Sequence, residues 1–177
     1  MDIYTIGHSN YTMEKLIQML RYFNINTVVD IRGTPYSKYN VQFDKERINY
    51  TLTKAGFIYI YMAQELAAKR VNKVSYNKEG YSDFEKVVQE EDFLRGIERL
   101  KDGCNKGYKI ALLGAMQDPI RCHRSILVGR ALKKAGFNVN PFTLSVFNTI
   151  ADFFFFVTVI VYVLAVPYSA VTTIFIV

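Results

Sequence analysis

The chain is poor in cysteine: it has two, Cys104 and Cys122, in 177 residues, with no CxxC pair and no disulfide framework. A reducing compartment, and hence the cytoplasm, is the expected location. Its opening residues, MDIYTIGHSN, lack a basic stretch leading into an apolar one, so a secretory signal is not expected. There is no Gly-rich loop of the kind that cradles phosphates in P-loop proteins, and Gly7 stands alone. Nor is there an internal repeat. His8, Asp30, Cys122 and His123 are acceptable metal-ligand types, but adjacent Cys and His on a helix diverge by about 100° and rarely share one ion. No metal is therefore expected, and nothing in the pattern names a cofactor. The most extensive absence is of charge: Phe153–Val177 carries none, and all 22 Lys and Arg lie before Asn138.

What is present suits one domain with ample core: half of the residues are hydrophobic. The formal net charge of +6 fits an anionic substrate or nucleic acid as partner without requiring either. Short apolar runs predict strands at Ile3–Ile6, Thr27–Ile31, Phe57–Tyr61, Ile110–Leu113 and near Phe137–Pro141. Between them lie helical patterns over Met13–Phe23 capped by Thr12, from Asp44 to about Lys54 ending at Gly56, over Tyr81–Gln89 and over Glu91–Lys101. Met62–Tyr81, with Lys69, Arg70, Lys73 and Lys78, reads as a mobile basic loop. Strands alternating with helices predict an α/β domain with a mostly parallel sheet flanked by helices. The expected domain is 1–140, with an apolar tail over 141–177.

The stretch around which the rest is organised is Ile110–Arg130. A buried strand ends at Gly114, and Asp118-Pro119 has the chemistry of a helix start, Asp as N-cap and Pro in the first turn. Arg121, Cys122, His123, Arg124 and Ser125 then crowd the positive end of that helix. Each alone is more simply a packing or surface residue. Together they oppose the helix dipole unless an anion or carboxylate is nearby, and such a setting lowers the pKa of a thiol.

In an open parallel sheet, ligands sit beyond the carboxyl ends of the strands. There the sequence places Gly7, His8 and Ser9 after the first strand, Asp30 and Arg32 at the second, Gln64 and Glu65 after the third, and the cluster after the fourth. The candidates are Cys122, His123, His8 and Asp30 for chemistry. Arg32, Arg124, Ser9 and Tyr36 are the candidates for holding an anionic substrate. For Asp30, a scaffolding pair with Arg32 or Arg124 competes with orienting His8 or acting as a base. Tyr36, Lys38, Tyr39 and Gln42 are exposed loop filler or a cover over the site.

Three segments carry a resemblance: TIGHS at 5–9, VDIRGTPYSKYNVQF at 29–43 and DPIRCHRS at 118–125. Together they resemble the bacterial and archaeal domain-of-unknown-function 488 family, from about Met1 to Val139. The resemblance implies a compact α/β fold with a parallel sheet and supplies no established reaction. It also implies a Cys and then an acidic residue where Gly114 and Met116 stand here, and a Leu-Gly-Gly-Arg-like segment where this chain has Leu66-Ala67-Ala68-Lys69. Chemistry that needs the first thiol would be impaired in this chain.

Two functions follow as expectations. One is an enzyme acting on a phosphate-bearing or nucleic-acid-derived substrate through Cys122 or His123. The other is a non-catalytic nucleic-acid or nucleotide binding module that uses the same basic residues. For Phe153–Val177, about 20 apolar residues suffice to cross a bilayer. Its 25 residues make a membrane anchor and an extension foreign to the domain equally favoured readings, with a buried apolar extension third. Oligomeric state is not legible.

Overall fold

The computed structural model describes residues 1–116, 118 and 122–142. The expectations for Arg121 and for the tail lie outside these residues. Five strands, β1 (Asp2–Gly7), β2 (Thr27–Asp30), β3 (Ile58–Tyr61), β4 (Ile110–Gly114) and β5 (Asn138–Pro141), form one sheet in the order β3-β2-β4-β1-β5. Every pairing is parallel, so each connection crosses over a face of the sheet, and the expected α/β architecture is present. Met1–Phe142 is one compact unit.

Alternation along the strands assigns the two faces. Ile3, Val29, Ile31, Ile110 and Leu112 share a core with Leu66, Val87, Phe93, Ile97, Leu100, Leu127, Val128 and Leu132. That face lies under α3 (Ala63–Leu66), α4 (Phe84–Val87), α5 (Glu91–Asn105), a π-helical turn (Arg124–Gly129) and α6 (Arg130–Lys134). Residues of the other parity, including Ile6, Val28, Ala111 and Leu113, belong with α1 (Met13–Tyr22) and α2 (Lys45–Lys54), which bury Leu16, Met19, Leu20, Ile48 and Leu52. Thr12 caps α1, its hydroxyl accepting the Lys15 N–H at 3.2 Å. Gly56, with φ +90°, supplies the left-handed turn between α2 and β3.

Three local expectations change. First, Met62–Tyr81 is not a loose basic loop: it holds α3 and a 3-10 turn at Lys73–Ser75, and Arg70 is buried. Arg70 donates to Glu90 through Nε and Nη2, and through Nη1 to the carbonyls of Glu65 and Ala67. A charge that looks solvated in sequence is thus the pin of the segment. Second, the helix expected over Tyr81–Gln89 is one turn only, Phe84–Val87 capped by Asp83, because Tyr81 and Ser82 are drawn into a turn and bridge with Asn77 and Tyr76. Third, α5 runs on to Asn105, beyond Lys101. It passes close over α3 at Gly96, where a Cβ would lie 2.8 Å from Glu65 Cβ.

Residue 140, where composition places the boundary, falls inside β5. The next ordered contacts are the Phe142 N–H on the Thr5 carbonyl, 2.8 Å, and the Phe142 ring stacked on Phe23 at 4.1 Å. Among the described residues no helix is long and apolar enough to cross a membrane.

Candidate functional site

β4 lies between β2 and β1, and its connection leaves toward the α6 face, whereas β1 and β2 lead into α1 and α2 on the other. This is the topological switch point of the sheet, where adjoining loops diverge and leave a crevice. Gly7 and Gly114 are register partners there. A Cβ on Gly7 would collide with the Met116 carbonyl and sit 2.6 Å from Arg124 Nη1. One on Gly114 would lie 3.1 Å from Arg124 Nη1 and 3.3 Å from Cys122 Sγ. The two glycines make the room into which the guanidinium and the sulfur fit. The thiol that the resemblance leads one to expect at 114 would therefore face Cys122.

Cys122 lies just before the helical stretch, not within its first turn. Of the expected Asp118-Pro119 start, Asp118 is exposed and Pro119 is outside the described residues, and helical structure begins at His123. It opens as a π-helical turn, Arg124–Gly129, a wide turn that recurs at functional sites. Cys122 Sγ stands 3.9 Å from His123 Nδ1, and His123 Nε2 is 3.1 Å from the Ile31 carbonyl. A carbonyl only accepts, so Nε2 carries the proton and, in the neutral ring, Nδ1 is left to accept from the thiol. Burial pushes the Cys122 thiol up. Once the His123 ring holds the proton, its hydrogen bond to the thiolate, the backbone N–H of Arg124 and the Arg124 and His123 charges outweigh burial and bring the thiol below its ordinary value. Arg124 is 0% exposed and donates to the Met116 carbonyl through Nη1. Burial lowers its pKa, against the support of Cys122, Asp118 and Tyr11.

The second group of side chains lies on the α1/α2 side of the same edge. Arg32 donates to Asp30 through Nε at 2.9 Å and Nη2 at 2.6 Å, and its backbone N–H adds a third bond at 3.0 Å. Tyr59 of β3 donates to Asp30 Oδ2, the oxygen that Arg32 Nη2 also binds, at 2.7 Å. Arg32 Nη1 then reaches His8 Nε2 at 3.2 Å, while His8 Nδ1 is 2.8 Å from the Ser9 carbonyl. This pairing requires a neutral imidazole with its proton on Nδ1. The His8 ring stacks on Phe43 at 4.2 Å between centroids. Burial first, then the Arg32 and Arg124 charges, push His8 down to about 4, against the Ser9 carbonyl and Asp30.

The fold thus brings Cys122, His123 and Arg124 together on one side, and His8, Asp30 and Arg32 on the other. The His123–Ile31 bond spans the edge between them. Ser9, held at φ +46°, contributes its carbonyl, while its hydroxyl turns to Asn10. Tyr36 is 55% exposed and donates to Glu46 on α2. Sequence reasoning did not single out Tyr59, Phe43 or the Met116 carbonyl. Tyr59 was within reach: in parallel register Asp30 pairs with Tyr61, so Tyr59 and Tyr61 flank the carboxylate on its own face. Among the described residues, no three potential ligands are grouped to hold a metal ion.

The family model for Domain of unknown function DUF488 matches residues 12–131. The chain belongs to the DUF488 family. Searches of curated proteins and of solved structures each return no match. The match takes in β2, β3, β4 and all of the Cys122-His123-Arg124 segment of this DUF488 protein. β5 and His8 lie outside the matched span.

Proposed function

We propose that this DUF488 protein is a thiol-dependent enzyme acting on a phosphate-bearing substrate, with Cys122 as nucleophile and His123 as its proton acceptor. The observation that carries the reading is the chain Cys122 Sγ, His123 Nδ1, His123 Nε2, Ile31 carbonyl, in which the backbone fixes the tautomer that the thiol needs. The Arg124 charge and its backbone N–H both favour the Cys122 thiolate. The basic surplus of the chain favours an anionic substrate.

Less supports a binding module that contacts phosphates through Arg32 and Arg124. Arg32 is 6% exposed and already satisfied by Asp30 and His8, and Arg124 is fully buried. Asp30 fits the scaffolding role better than that of a base, because its carboxylate oxygens accept from Arg32 and Tyr59.

Alkylation by iodoacetamide as a function of pH tests the proposal. Cys104 is the internal reference, since burial pushes its thiol up. Cys122 should show its half-maximal rate at a pH below that of Cys104, even where burial at 3% exposure keeps its plateau low. His123→Ala should raise that midpoint, and inorganic phosphate should slow the reaction of Cys122 alone. Equal midpoints for the two thiols would end the nucleophile role. Indifference to phosphate would end the substrate class.

A further inference from the structure

Beside the π-helical turn lies a cavity of about 300 Å³. Thr5 of β1, Val139 and Pro141 of β5, Ser125, Ile126 and Gly129 of the turn, and Arg130 and Lys133 of α6 line it. Thr5 occupies the same face of β1 as Ile3, a position that packing alone would fill with an apolar side chain. It is 0% exposed, and its hydroxyl has no hydrogen-bond partner among the described residues. A buried hydroxyl so placed is destabilising relative to a bonded one. It is informative because Thr5 lines a cavity. Arg130 and Lys133 are exposed, three residues apart on adjoining turns. Neither forms an ion pair among the described residues.

We propose that this cavity binds a small organic phosphate. The phosphate sits between Arg130 and Lys133, where two cations neutralise a dianion through charge-assisted bonds. A hydroxyl of the ligand reaches inward to Thr5 Oγ1 and Ser125 Oγ. The volume lies at the small end of ligand sites and suits a molecule of the size of a short sugar phosphate. The site is separate from the thiol: Ser125 follows Arg124 in sequence, but the lining does not include Cys122, His123 or Arg124.

The test is titration of the full-length, isotopically labelled protein with glycerol 3-phosphate and, separately, inorganic phosphate, followed by amide chemical shifts. Saturable shifts are expected at Thr5, Ser125, Gly129 and Lys133. The double variant R130A/K133A, which alters only exposed side chains, should weaken binding by at least about tenfold. T5V should weaken glycerol 3-phosphate more than inorganic phosphate. The proposal is overturned by an absence of saturable shifts at these amides up to about 10 mM. It is equally overturned if affinity is unchanged in R130A/K133A, or if T5V raises thermal stability while binding both probes as before. Phosphate protection of Cys122 is a separate readout that R130A/K133A should leave intact, so either site can fail without the other.

Discussion

Two buried arginines, Arg32 and Arg70, are each paired with a carboxylate and each neighboured by a hydroxyl, yet they serve different ends. Arg70 spends its donors on structure: Nε and Nη2 on Glu90, Nη1 on two carbonyls, with Ser75 completing the carboxylate. Arg32 spends Nε and Nη2 on Asp30, with Tyr59 on the same carboxylate, but Nη1 goes to the imidazole of His8. The first is a staple for the segment between β3 and α5. The second hands its last donor to a titratable group at the edge that holds the thiol. A buried ion pair reads as scaffold or as part of a site according to where its spare hydrogen bonds point, and not according to the pair itself.

The largest effect should come from breaking the staple. Arg70→Ala leaves Glu90 and two carbonyls without their shared donor, and is expected to cost about 3–5 kcal/mol in urea unfolding. The His8 titration, read by NMR, should not move. Arg32→Ala should destabilise to a similar degree but raise the pKa of His8, because the Arg32 charge holds it down. A shift of His8 in Arg70→Ala would erase the distinction between the two arginines.

A somewhat smaller effect attaches to His8 itself. The folded protein holds it near 4, against 6.5 for a free histidine. Between those values the unfolded chain binds the extra proton, so stability rises with pH across the window. The contribution, about 3 kcal/mol, is complete above 6.5 and lost as pH falls to 4. Comparing unfolding of the wild type and His8→Gln at pH 4.5 and pH 7 isolates it. The smallest effect is that of Tyr59→Phe, which removes one of several bonds to Asp30 and should cost about 1 kcal/mol. His8 should still titrate far below 6.5. A return of His8 to its ordinary range would make the tyrosine, and not the arginine, the controlling partner.

The strands were legible because buried parallel strands are short apolar runs, and TVVDI and IALLG are such runs. The edges of the candidate site were legible for the same reason, since polar residues that interrupt or follow those runs fall at one end of the sheet. What sequence could not give was the commitment of each side chain. The pairing of Arg32 with Asp30, two residues apart on one face, could be read from sequence, but the His8 ring that takes the last Arg32 donor comes from another strand's end. Arg70 looks solvated until Glu90, twenty residues on, closes over it. Tyr36 looks like a cover until Glu46 claims its hydroxyl. In each case the deciding partner is set by tertiary approach, which periodicity does not encode.

The placement of β1 has a consequence for the order in which the molecule can be made. β1 pairs with β4 and β5, Tyr4 with Ala111 and Asp2 with Asn138. On the ribosome its backbone donors and acceptors therefore wait for more than a hundred further residues. During that interval β2 and β3 can already pair, while an apolar strand stands open on both edges. Such long-range parallel closure is slow, and the waiting strand is the one most exposed to capture by another chain. Gly7, the last residue of β1, and Arg124, which packs against it, are likewise the first and among the last parts of the site to be synthesised. The crevice exists only after nearly the whole domain has closed, so chains interrupted before β4 should carry neither a formed site nor a finished sheet.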